Sequence, residues 1–133
     1  MANEKLICTD GGRAAASIQD RNDCTVRALA IASGIPYAAA HALLKAHGRK
    51  QGKGVLTAVV IDAFKDHLGD YVRTSPFMSE RPTVASFLRD QPKGTFVVAV
   101  RGHVFAVIDG VQHDNGEGLY KPRCRVKGFW PAK

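Results

Sequence analysis

Apolar positions along the chain change their spacing near residue 95. Before it they recur every three or four residues, as on a helix face; after it they alternate or run together, as in strands. The polar run Gln19-Asp20-Arg21-Asn22-Asp23 stops at Cys24, and Val26, Leu29 and Ala30 follow at helical spacing. A helix is therefore predicted from about Asp23 to Ser33, with Asn22 or Asp23 as its cap and Gly34 and Pro36 as its stop. Ala28 and Ile31 share the face of Cys24, so most of the circumference is apolar and the helix is expected at the centre of the domain. Pro36 suits the N1 position of a second helix, Tyr37 to His47, closed by Gly48. A third, about Leu56 to Leu68, carries Leu56, Val59, Val60, Ala63 and Phe64 on one face. Tyr71-Val72-Arg73 reads as a short strand, and Thr83 as the cap of a short helix, Val84 to Arg89.

The strand-like part begins after the turn at Gln91-Pro92-Lys93-Gly94, with Thr95–Val100, His103–Ile108 and Val111–Asp114. Asp109-Gly110 between the last two is a preferred type I′ hairpin pair. A final strand is expected near Arg123 to Val126, and residues 1–18 read as loop with room for one short strand. Helices first and an antiparallel sheet second make an α+β domain spanning residues 1–133, with its helical part at about 20–90 and its sheet at about 95–128.

Composition adds little to the fold but limits the function. With 133 residues, 45% of them hydrophobic, the chain can bury a core without metal or disulfide support. Three widely spaced cysteines, Cys8, Cys24 and Cys124, fit neither a disulfide framework nor paired zinc ligands, so a reducing, cytoplasmic setting is expected. No apolar run approaches a membrane span, and no cofactor motif is present: the glycine-rich loop Gly48 to Gly54 lacks the preceding strand and the Lys-Ser/Thr pair of a phosphate loop. A net charge of +7 draws the chain toward acidic partners, including nucleic acid. Five basic residues follow Glu117 (Lys121, Arg123, Arg125, Lys127 and Lys133), making the tail a candidate basic patch. His41 and His47 read as solvated residues of the second helix.

Chemistry converges on Cys24. In the first turn of a helix, unpaired N–H groups and the helix dipole favour a thiolate. The hairpin supplies partners. With a two-residue turn at Asp109-Gly110, Ile108 opposes Val111, Ala106 opposes His113 and Phe105 opposes Asp114, so Asp114 lies diagonal to His103 on the same face at about 7 Å between Cβ atoms. Asp109 lies too far along the strand, His113 points to the other face, and Asn115 reaches the site only through a bulge. Cysteine, histidine and carboxylate are the parts of a thiol nucleophile system. Backbone N–H groups at the helix start, and the Gln19 side chain, are candidate oxyanion donors.

These segments resemble the papain-like cysteine peptidase superfamily, within it the compact bacterial and phage members. The likeness is carried by Gln19 to Ala30, Gly94 to Val100, Gly102-His103-Val104 and Asp109 to Asp114, in the family's order. It implies a papain-like fold, N-terminal helices packed on a C-terminal antiparallel sheet, with Cys24 as nucleophile, His103 as base, Asp114 as orienting residue and Gln19 as oxyanion donor. Gln19 lies five residues before the cysteine where the family usually has six, and Thr25 stands where many relatives carry glycine, serine or tryptophan. The function expected is hydrolysis of a peptide, isopeptide or related amide bond in a peptide or protein substrate of acidic character. The alternative is an inactive scaffold of the same fold, binding or inhibiting a host protein or nucleic acid through its tail and the loop at Arg49 to Lys53. A metal held by Cys24, His103 and Asp114 has no ligand spacing to support it.

Overall fold

The computed structural model describes residues 5–54, 57–115 and 120–133. The described residues form an α+β arrangement of four helices and six strands: β1 (Leu6–Cys8), α1 (Cys24–Ser33), α2 (Tyr37–Ala46), α3 (Thr57–Phe64), β2 (Val72–Arg73), α4 (Val84–Asp90), β3 (Thr95–Val100), β4 (His103–Ile108), β5 (Val111–Asp114) and β6 (Gly128–Pro131). They make one sheet in the order β1-β5-β4-β3-β6-β2.

The central hairpin follows directly from its sequence. Thr95 to Val100 pairs antiparallel with Ile108 to His103, and β5 returns in the expected register, Ile108 against Val111 and Ala106 against His113. Asp109 and Gly110 both take positive φ, 49° and 77°, as a type I′ turn requires. Asp109 is structural: its carboxylate accepts from the Gly94 N–H at 3.0 Å, far from the other end of β4.

The sheet departs from expectation in three respects. It is mixed, because β1 lies parallel to β5, pairing Cys8 with Asp114. It recruits β2 and β1 from outside the expected sheet segment, strands too short to show any period. The last strand is Gly128–Pro131 rather than Arg123 to Val126; Arg125 makes only an isolated bridge with Thr83. Glycine and proline disfavour this assignment by sequence, but a Cβ at Gly128 would lie 2.2 Å from the Tyr71 hydroxyl, so only glycine fits beneath that ring. Trp130 of β6 is buried against Phe64 and Tyr71, with ring centroids 5.1 and 4.5 Å away. The end of the expected basic tail is thus a core strand.

Helices cover both faces of the sheet. Val97 and Ala99 of β3 pack with α1, α2 and α3, whereas Val98 and Val100 pack with Val84, Phe87 and Leu88 of α4. Burial on both sides explains why β3 reads as an uninterrupted apolar run. α1 is buried along most of its length, as its apolar circumference predicts. α3 is shorter than expected. Its chain leaves the helix after Phe64 so that Leu68 can bridge Ala132; Leu56 lies outside the described residues.

Candidate active site

Helix α1 begins at Cys24, with Gly34 closing it in the left-handed conformation. Asp23 occupies the cap position, yet its carboxylate caps nothing. It accepts instead from Arg13 Nη1 at 3.2 Å, Arg27 Nε at 3.1 Å and the Tyr37 hydroxyl at 2.7 Å. Burial, followed by the bond to Asp23, pushes the Tyr37 phenol up, keeping it a donor. The first intrahelical bond joins the Arg27 N–H to the Asp23 carbonyl, leaving the Cys24 N–H without an acceptor inside the helix. A donor freed from capping stands beside the thiol.

His103, the first residue of β4, and Asp114, the last of β5, meet as strand parity requires. Asp114 Oδ2 accepts from His103 Nε2 at 2.6 Å and from Gln112 Nε2 at 2.9 Å; Oδ1 accepts from Arg27 Nη1 at 3.0 Å and the Asn115 N–H at 2.8 Å. Four donors saturate a carboxylate that is only 3% exposed. Burial pushes Asp114 up, but His103 and the other donors outweigh it and hold the group below the usual carboxylate range.

With Nε2 engaged by Asp114, Nδ1 is the ring nitrogen left for the Cys24 thiol, which shares two depressions with His103. Burial pushes the thiol up. The nearby His103 ring and Val104 backbone, then the charges of His103 and Arg27, reverse that and leave Cys24 below an ordinary cysteine. For His103, burial pushes down, and Asp114 and Cys24 more than compensate, raising it to about 9. Both shifts run in the direction of a thiolate–imidazolium pair.

Gln19 does not join this group. It is exposed, its carbonyl accepts from the Gln51 side-chain amide, and it lines the outer surface with Asp20 rather than the cleft of Cys24. Asn22 does line the cleft, at φ 50°, and its amide donates to the Gly52 carbonyl at 2.9 Å. Asn115 lies beside Cys24 and His103 on the same groove, with its backbone bonded to Asp114. His113 faces away, and burial lowers its pKa.

Two features escaped the sequence. One is Arg27, buried in an apolar helix and paired with both Asp23 and Asp114. The other is a clamp on the run before Cys24. Asp20 accepts from Arg49 Nη1 and His41 Nε2, each at 2.8 Å, and from the Gly52 N–H at 2.7 Å. His41 and Arg49 are therefore structural rather than solvated, and the glycine-rich loop serves as a strut. Burial pushes Asp20 up, but Arg49, the N–H groups of Arg21 and Gly52, and His41 hold it far below the usual carboxylate range. His47 makes a surface pair with Asp62 at 3.3 Å.

Gly102 and His103 stand where three depressions meet. An open groove runs along Arg21, Asn22 and Cys24. A cavity of about 140 Å³ is walled by Val60, Ala99, Val104 and Trp130 and also touches Cys24. A third, of about 280 Å³, lies beside His103 away from the thiol. Among the described residues no group of three or more potential ligands could hold a metal ion, and no helix is long and apolar enough to cross a membrane. Comparison with protein-family models, curated proteins and solved structures finds no match to this chain.

Proposed function

We propose that the chain is a papain-like cysteine hydrolase that cleaves a peptide, isopeptide or related amide bond through a thioester on Cys24. The observation that carries this reading is the 2.6 Å contact of His103 Nε2 with Asp114, which fixes the ring with its other nitrogen toward a thiol at the start of α1. In the first step Cys24 Sγ adds to the carbonyl carbon, and the oxyanion faces the N–H groups at the helix start. The C–N bond then breaks as imidazolium His103 protonates the departing nitrogen, leaving an acyl thioester. Water gives a proton to His103 and its oxygen to the acyl carbon, releasing a carboxylic acid and restoring the Cys24 thiolate beside imidazolium His103. Asp114 holds the ring orientation throughout, and Arg27 and Gln112 hold Asp114.

The test is competitive alkylation. At about pH 6 an ordinary thiol is almost wholly protonated, and exposure alone would favour Cys8, since Cys24 and Cys124 are half-buried. Iodoacetamide should nevertheless label Cys24 first in the native protein, with the preference erased by denaturant. Equal labelling of Cys24 in native and denatured samples would refute the thiolate. Cys24→Ala should abolish hydrolysis of a mixed peptide library.

A second reading, a basic binding or inhibitor protein of the same fold, draws on cations around the cleft that have no carboxylate partner among the described residues, including Arg101 and Lys127. It predicts full, salt-sensitive binding by the Cys24→Ala protein.

A further inference from the structure

Resting on the hydrolase reading, we propose that the cavity beside His103 is a substrate subsite for a carboxylate on an apolar stem, with Arg101 and Lys121 as its recognition residues. The cavity holds about 280 Å³, and its walls include Val84, Val100 and Phe105. All three belong to the core cluster between α4 and the sheet, Val84 from α4 and the others from β3 and β4, so the walls are preformed. Two cations line it, both exposed: Arg101 in the tight turn between β3 and β4, two residues before His103, and Lys121. Gln112 and Cys124 also line it, and among the described residues no acidic side chain does.

The carboxylates near the site are already committed. Asp20 pairs with Arg49, Asp23 with Arg13 and Arg27, and Asp114 with Arg27 and His103. Arg101 and Lys121 have no such partner among the described residues, which leaves two cations at the mouth to meet an anion. An apolar cavity under two unpaired cations selects a ligand that is apolar along its length and anionic at its end. Free phosphate fits poorly, because an ion without a stem leaves the walls empty. A glutamate side chain and the free carboxylate of a peptide C-terminus share the required chemistry. Gly102 and His103 line both this cavity and the groove that holds Cys24, which joins the subsite to the reacting centre.

The experiment measures how blocked tripeptides, each at the same millimolar concentration, slow alkylation of Cys24 by iodoacetamide at low salt. Three carry glutamate, glutamine or lysine between alanines and end in an amide; a fourth, all alanine, ends in a free carboxylate. Rates with and without peptide are compared within each protein, so any change in intrinsic thiol reactivity cancels. Protection by the glutamate peptide identifies a side-chain carboxylate, and protection by the free acid identifies a chain terminus. Either should exceed the glutamine peptide by about 1.5- to fivefold, the range of exposed ion pairs, and the excess should shrink as salt rises. In the doubly reversed Arg101→Glu, Lys121→Glu protein the preference should pass to the lysine peptide. Equal protection by glutamate, glutamine and free-acid peptides, protection by none, or an acid preference that survives the reversal each overturns the subsite. A Cys24 no more reactive than in denaturant overturns instead the reading on which it rests.

Discussion

Two buried clusters flank Cys24, and their inventories are nearly the same. Asp20 is held by Arg49, His41 and backbone N–H groups; Asp114 by Arg27, His103, Gln112 and a backbone N–H. In each, a histidine gives Nε2 to an aspartate whose side chain is almost fully enclosed, while the ring stays about one-fifth exposed. What separates them is the far side of the ring. Each ring lies against an aromatic, Tyr37 at 5.8 Å for His41 and Phe105 at 6.0 Å for His103, but only His103 also faces a thiol. An Asp–His–Arg group is therefore a structural device in general, and becomes a candidate for catalysis through the third atom it faces. The Asp20 cluster fixes where the chain enters α1; the Asp114 cluster fixes what Cys24 finds on arrival.

The comparison breaks most sharply at the two arginines. Arg27→Met and Arg49→Met each strand buried carboxylate charge and should cost about 3–5 kcal/mol in chemical denaturation. In mildly stabilising buffer, only Arg27→Met should also slow Cys24 alkylation, because Asp114 then loses its anchor; equal slowing by both would erase the distinction.

Next in size is the exchange of histidines. His103→Ala should lower the labelling rate of Cys24 at neutral pH by about tenfold as the thiolate fraction falls, with His41→Ala close to wild type. For the pH dependence the signs are fixed by the shifts. Cys24 lies below its ordinary value and His103 is raised to about 9, so hydrolysis should follow a bell, its acid limb below the usual cysteine range and its alkaline limb near pH 9. Stability follows the same linkage. The contribution of His103 is complete below the unfolded value of 6.5 and is lost as pH rises through about 9; that of Asp114 is present above 3.8 and is lost as pH falls through its lowered value. Urea midpoints across pH read both limbs.

The smallest effect concerns Thr25, whose Oγ1 is buried beside Cys24 without a partner among the described residues. Thr25→Val keeps the shape and removes the unmet group, so thermal unfolding should show stability unchanged or raised by about 1 kcal/mol.

How much of this was legible follows from the distance over which each feature is encoded. Strand parity and a two-residue turn are local rules, and they brought His103 to Asp114 rather than to Asp109. The start of α1 was equally local. Arg27 was not: its partner Asp114 lies 87 residues away, and nothing in an apolar helix announces the carboxylate it will meet. Gln19 went astray because spacing along a chain says nothing about which way an irregular run faces; Gln51 holds its carbonyl on the outer side. Asp23 was legible as a cap position but not in its bonding, since three partners from elsewhere outcompete the cap. The edge strands were too short for a period, and β6 carried glycine and proline for reasons of packing.

The Arg27 bridge has a consequence in time. Cys24 is synthesised well before the groups that face it, at positions 103 and 114. Until β4 and β5 dock against α1, the cysteine lacks the imidazole that faces it in the folded protein. Under the hydrolase proposal, reactivity therefore arrives only with the closing of the sheet.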